Sequence, residues 1–502
     1  MTTSQYDNAR TGAYLNESTL TPQNVNPQQF GKIFTLKVDG DVYAQPLFLG
    51  GVEIPGKGRH DVVFIATEHD SMYAFDAYGS PSEPLWQVSF LKNGASTVKS
   101  WAVQCPFIEP EVGITSTPVI DAKSGTLYVL ARTAMTHTIS ATEFHQQLHA
   151  LAVTTGVEKF GGPVEIRATV PGRGDGSRNG NVEFGPLREN PRAALLLADG
   201  TVYLTWASSC DVGPYHGWVM AYDAQSLKQK AVFNASPDAD DSGIWASDTG
   251  PAADQAGNVY VATGNGQFDA AANGGRDFGD SLLKLQGQDL KPIDYFTPFN
   301  ANELDRNDDD LGSGGPMLLP DQPVAHPHLV VVGGKAPLIY VLDRDHLGHF
   351  RPGSNLQAVQ TIATKGGIYG SMAYWNHHVY VLSDSDALRD YEVINSKLTP
   401  KAASSFTFVD HAATPTVSAN GDKNGIVWVV SSKAWNSGDR KAVLHACDAT
   451  NIAHELYNSN QNAARDQAGT ALRFNIPTVV NGHVYVGAKS EVDVYGLLPV
   501  KR

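Results

Sequence analysis

The sequence predicts an all-β protein, specifically an eight-bladed β-propeller of four-stranded antiparallel blades. Three observations carry this. A short β-branched and aromatic run recurs eight times along the chain, a second run precedes each copy, and no sustained 3.6-residue amphipathic pattern appears. Helices should therefore be few.

The repeated run reads Val63-Phe64-Ile65, Leu127-Tyr128-Val129, Val202-Tyr203-Leu204, Val259-Tyr260-Val261, Leu329-Val330-Val331, Val379-Tyr380-Val381, Val427-Trp428-Val429 and Val484-Tyr485-Val486. Branched and aromatic side chains suit a pleated, buried surface, and Asp-Gly, Gly-Asn or Asn-Gly turns stand close before most copies. The preceding run is opened by Pro46, Pro118, Pro191, Pro251, Pro316, Pro415 and Pro477; only the sixth unit, at Ser371-Met372-Ala373, lacks the proline. A third, alternating run follows and often closes on aspartate, as at Tyr73–Asp76, Met220–Asp223, Tyr340–Asp343 and Leu444–Asp448. A more polar fourth strand comes after most of these, which gives units of about 40–75 residues.

The eighth unit ends at Val492-Asp493-Val494-Tyr495 with no fourth strand, whereas Gly31–Lys37 is a strand without a unit. It is expected to supply the missing outer strand and close the ring, so that no sheet edge stays open. Residues 1–30 then form a leader packed on the propeller, and residues 31–499 one propeller domain.

Composition narrows the function. The 502 residues carry 37 Lys+Arg against 52 Asp+Glu, a formal charge of −15, which does not suit a nucleic-acid binder. No run approaches the ~18 apolar residues of a membrane span. The opening lacks a basic and then apolar leader, so no signal peptide is expected in this stretch; the low-lysine, glycine-rich composition points to an extracellular or periplasmic monomer. Of three cysteines, Cys447 lies in an apolar run and reads as a buried hydrophobe. Cys105 and Cys210 lie in loops, either as a disulfide staple or as two thiols. No CxxC or Cys/His cluster indicates zinc.

The third-run pattern continued through Asp76-Ala77 to Trp86, and again from Asp448-Ala449, resembles a degenerate tryptophan-docking repeat. The opening Tyr6-Asp7-Asn8-Ala9-Arg10-Thr11-Gly12 is similar to the opening of the same proteins. On these residues, from about 6 to 499, the chain resembles the PQQ-like (quinoprotein alcohol dehydrogenase-like) eight-bladed propeller superfamily. Its alcohol-dehydrogenase branch implies a quinone held between a tryptophan and a vicinal disulfide, a Ca²⁺ ion on carboxylate and amide groups, and a catalytic aspartate. Here no two cysteines are adjacent, only Trp86 keeps a clear docking position, and no Asp/Asn/Glu set maps onto the pattern. PQQ and Ca²⁺ dependence, as in an alcohol or aldose dehydrogenase, is therefore the alternative reading.

The leading reading comes from the expected rim. The sixth and seventh positions from each triad are Glu68/His69, Arg132/Thr133, Ala207/Ser208, Gly264/Asn265, Gly334/Lys335, Asp384/Ser385, Ser432/Lys433 and Lys489/Ser490. Four of these sixteen are Lys or Arg, where average usage supplies about one. Such a basic rim suits an anionic small molecule or oligosaccharide. Arg132, Arg192, Trp245, Asn265, Lys335, Lys433 and Lys489 are the candidate substrate-binding residues. Positions before the inner strands add Gln45, Asp248, Ser313, Tyr369, His411 and Asn475. The expected chemistry is β-elimination on a uronate, with His69, His216 or Tyr369 as proton acceptor. Glycoside hydrolysis is weaker, since Glu68 and Asp384 are the only rim carboxylates. A third reading is a non-catalytic glycan- or protein-binding propeller. The acidic stretch Glu303–Asp310 is expected to be an exposed turn, and no metal site is assigned.

Overall fold

In the computed structural model, which describes residues 1–138, 141–409, 414–432 and 441–499, the chain is almost entirely β. The described residues hold three α-helices of four to seven residues, the longest being Ala301–Asn307. The strands form eight antiparallel meanders of at least four strands each, with one separate ribbon at Thr169–Pro171 and Asn181–Glu183. The first sheet is typical: Leu47–Ile54, Gly58–Ala66, Ser71–Asp76 and Trp86–Ser89 pair in chain order. In the eighth, Thr478–Val480, His483–Ala488 and Glu491–Leu497 are joined by Phe30–Lys37, with Phe30 opposite Leu497 and Lys37 opposite Glu491. The strand expected to cross from one end of the chain to the other does so.

Apolar clusters lie between consecutive sheets. Both faces of each middle strand are buried, which is why the repeated triads are apolar at every position rather than alternating. Val480, Tyr485, Val492 and Val494 of the eighth sheet pack with Phe48, Val63, Ile65 and Phe75 of the first. The central tyrosine of the triad has a further role. Tyr128 Oη donates to Ala224 O (2.7 Å), Tyr203 Oη to Gly287 O (2.9 Å), Tyr380 Oη to Ala449 O (2.7 Å) and Tyr485 Oη to Ala77 O (2.7 Å). Each acceptor lies in the turn after the third strand of the neighbouring sheet, so the hydroxyl latches one sheet to the next. Tyr485→Phe, which leaves a buried carbonyl unpaired, is expected to cost about 1–2 kcal/mol in urea unfolding with an unchanged m-value.

The innermost strands are sheet edges whose amides need partners. The first residues of the chain supply them. Phe48 N donates to Met1 O, Ile120 N to Thr2 O, Ala253 N to Asn8 O, Leu318 N to Ala9 O, Tyr374 N to Thr11 O and Val417 N to Gly12 O, all at 2.7–2.9 Å. Val479 N donates to Tyr6 Oη (2.8 Å), and Asn8 Nδ2 donates to Leu197 O (2.8 Å). The segment thus bonds the innermost strand of every one of the eight sheets, far more than a leader lying on the surface. Arg10 holds it in place. Its guanidinium is 0% exposed and donates to Ser4 O, Thr3 Oγ1, Pro251 O and Leu195 O at 2.8–3.2 Å. Arg10→Met is expected to destabilise by about 2–3 kcal/mol, read from the denaturation midpoint.

Candidate functional site

The loops that lead into the innermost strands enclose a cavity of about 350 Å³. Arg192 comes from the third sheet, Trp245 and Ser247 from the fourth, Ser313 from the fifth, Tyr369 from the sixth, and Arg473 with Phe474 from the eighth. Phe107, Cys210, Asp211, Lys335 and Asp308–Asp310 complete the wall.

One side is a buried ion cluster. Asp310 is 1% exposed, and its Oδ1 accepts the Asn265 N–H at 2.6 Å. Lys335 Nζ reaches Asp308 Oδ1 at 2.5 Å and also contacts Asp310 Oδ2. Burial pushes the Asp310 carboxyl up to about 6, against the opposing pull of Lys335 and the Asn265 amide. For Lys335, burial favours the neutral amine, but the adjoining Asp310 and Asp308 outweigh it and the net shift is upward. Position 264 must be glycine here, because a Cβ would stand 2.9 Å from Trp245 Nε1 and crowd Asp310.

The other side is aromatic and cationic. The Arg473 guanidinium lies 4.4 Å from the Phe107 ring centre and 4.9 Å from that of Phe474, and Arg192 lies 4.4 Å from Phe474 on its own account. Rings and guanidiniums thus alternate, each cation over a π-face. Arg192 Nε also donates to Ser247 Oγ at 2.9 Å. Below it, burial raises the Asp248 carboxyl to about 7, despite hydrogen bonds from Thr414 and the charge of Arg192. Trp245 turns its ring edge-on to Tyr215, and its Nε1 is buried without a hydrogen-bond partner among the described residues; Asn265 Oδ1 is in the same state. Cys105 and Cys210 form a disulfide with Cα atoms 5.5 Å apart, fastening the Phe107 loop to the cavity wall. Of the two arrangements open to these cysteines, the staple is the one present.

The candidate residues divide. Arg192, Trp245, Lys335 and Tyr369 line the cavity, and Asn265 braces it through Asp310. Arg132 does not face an open rim: it is 0% exposed, donates to Leu187 O, and is enclosed with Glu68, Asp70 and Glu189. Glu68 is also buried, accepting from Gly113 N (2.7 Å) and Thr115 Oγ1 (3.2 Å), and its burial raises its carboxyl to about 7. His69 is engaged by Glu111 at 2.6 Å. His216 is 2% exposed, bonded to Ser236 Oγ and Asp175 O, and burial lowers its pKa. Lys489 is exposed, outside the cavity, beside Asp41. Gln45 and Asn475 serve the backbone instead. Lys433 and His411 lie outside the described residues.

Two expectations need correction. The rim is not a field of uncompensated cations, since Lys335 and Arg132 each stand among carboxylates. The acidic stretch is not wholly exposed, since Asp310 is a buried wall of the cavity. Arg473 and Phe474 went unread although they stand one and two residues before Asn475, at the position that yields cavity residues in other units. Asp211 and Asp308–Asp310 carried no signal beyond local acidity.

No protein-family model matches the chain, and no curated protein matches it. Solved structures do. A quinohemoprotein alcohol dehydrogenase from Pseudomonas putida aligns over 99% of this chain and 82% of its own, at 14% identity and a TM-score of 0.65. The quinohemoprotein alcohol dehydrogenase of Comamonas testosteroni aligns over 100% and 81%, at 14% identity and 0.65. A europium-containing methanol dehydrogenase aligns over 98% and 96%, at 13% identity and 0.60. The chain shares the fold of these three dehydrogenases over nearly its whole length.

Proposed function

We propose that the eight sheets are the blades of one closed ring, plugged at one end by residues 1–14, and that the cavity is the active site of a quinone-dependent dehydrogenase oxidising an alcohol or aldose hydroxyl. The observation that carries this is the composition of one cavity. An indole whose buried N–H has no partner among the described residues, a disulfide, two ring-stacked guanidiniums and a Lys–Asp pair meet there, on a fold shared with alcohol dehydrogenases.

The residues suit a flat, oxygen-rich anion such as PQQ. Trp245 offers a face and a donor, Arg192 and Arg473 complement carboxylates, and about 350 Å³ lies within the range of small-ligand sites. The disulfide replaces a vicinal pair by two residues remote in sequence. When bound, such a cofactor would supply the two-electron oxidant, taking from the alcohol carbon one hydride, that is, both electrons together with a proton. The protein's part is proton handling and orientation. Asp310, buried and raised to about 6, is ionised at neutral pH and takes the hydroxyl proton. Lys335 keeps it charged and in place. The donors for a divalent ion are fewer: Lys335 already engages Asp308 and Asp310, and no three metal-ligating side chains gather among the described residues.

Uronate β-elimination has less support, because of its three proton acceptors only Tyr369 lines the cavity. The disulfide agrees with residence in an oxidising compartment. The assay is dye-linked turnover of primary alcohols and aldoses after incubation with PQQ, with and without Ca²⁺. Reduction of dye that depends on both PQQ and substrate supports the reading. Absence of it across the panel, beside absorbance growth near 235 nm with uronates, would replace it with the lyase.

A further inference from the structure

A second cavity, of about 570 Å³, lies between the fourth and fifth sheets and is bordered by Asp7 and Thr11 of the N-terminal segment. It shares no residue with the candidate active site. Its hydrogen-bonding state is lopsided. The carboxylates are largely in use: Asp254 accepts from Ala256 N, Asn258 N, Asn258 Nδ2 and Tyr260 Oη at 2.9–3.0 Å. Asp7 accepts from Thr11 N and Oγ1, and Asp345 Oδ2 is 2.8 Å from His328 Nδ1.

The cations have donors to spare. Arg344 is 9% exposed and donates through Nη2 to Leu319 O at 3.2 Å, while its buried Nε has no partner among the described residues. Lys284 Nζ donates to Arg344 O at 2.8 Å, one bond for a group with three hydrogens. The loose acid is Asp321, 72% exposed at the rim and 3.5 Å from Arg344. A buried guanidinium with an unused N–H is costly unless something accepts from it. A carboxylate or phosphate is the matching acceptor, and the cavity is far larger than a bare ion requires.

We infer that this cavity is a second binding site for a small oxyanion-bearing molecule, its carboxylate or phosphate held by Arg344 and Lys284 in place of Asp321. Hydroxyls on the body of the ligand would meet Asn258 and Gln255 at the wall. The site is independent of the proposed dehydrogenase chemistry and stands if that reading fails.

The test is calorimetric titration of the full chain with inorganic phosphate and, separately, with glucuronate at low ionic strength and pH 7. One saturable site is expected for at least one probe. Lys284→Met, at a half-buried position and with its folding checked by an unchanged denaturation midpoint, should weaken it by about tenfold or more, and Arg344→Lys should weaken it too, by removing the planar fork. Lys335→Met, in the other cavity, should leave it unchanged. No saturable binding to the folded protein, or binding lost in Lys335→Met and retained in Lys284→Met, overturns the proposal.

Discussion

Asp310→Asn is expected to lower turnover by about 10²–10⁴-fold while PQQ binding persists, because the amide keeps the shape of the wall and loses the proton acceptor. The pH dependence identifies the group. With the carboxyl raised to about 6, wild-type rate should climb through pH 6 and level off above it, and this limb should be absent from the residual activity of the variant. Stability moves the opposite way. The folded state holds this proton at pH values where the unfolded chain, near 3.8, has released it, so stability contributed by the neutral carboxyl is lost as pH rises from about 4 to 6. Asp310→Asn should flatten that part of the stability curve. A variant with wild-type kcat, or an unchanged acidic limb, removes Asp310 from the chemistry.

Replacing both Cys105 and Cys210 by serine should have the largest effect on the fold. The bridge closes a loop of 105 residues, and releasing such a loop in the unfolded chain is worth about 4–5 kcal/mol on the chain-entropy account. For a chain of 502 residues this corresponds to a fall in Tm of only about 4 °C, so chemical denaturation is the better measurement. The same change frees the Phe107 loop from the cavity wall. It should therefore raise the Kd for PQQ as well, which a purely structural staple remote from the site would not do.

The fold was legible because its signals are local. A buried middle strand demands apolar residues at consecutive positions, so Val259-Tyr260-Val261 and its relatives stand out, and the unpaired third strand at Val492–Tyr495 pointed to its partner at Gly31–Lys37. The latches account for four of the five central tyrosines in the triads, Tyr260 bonding Asp254 of its own sheet instead, although only the strand signal was visible in sequence. The site was half legible. Arg192, Trp245, Lys335 and Tyr369 could be found by counting from the repeat, because position within a unit fixes where the backbone goes. Position does not fix what a charge meets. Arg132 and Lys335 stand at the adjacent sixth and seventh repeat positions, yet Arg132 is enclosed by Glu68, Asp70 and Glu189 from other loops. Asp310 looked like one acid among several in an exposed turn, and only the path of the loop after Ala301–Asn307 buries it. The reach of the N-terminal segment across the sheets was unreadable for the same reason: Arg10 has no local pattern, and its partners Leu195 and Pro251 lie far along the chain.

The cavity beside Trp245 is expected to accept a flat anionic quinone. Equilibrium titration of the protein with PQQ, followed by tryptophan fluorescence and by the cofactor's absorption, tests it most directly. The account predicts saturation at one PQQ per chain, quenching that largely disappears in Trp245→Phe, and at least tenfold weaker binding in Arg192→Met. Absence of saturable binding to a folded chain, or binding indifferent to both substitutions, would contradict it.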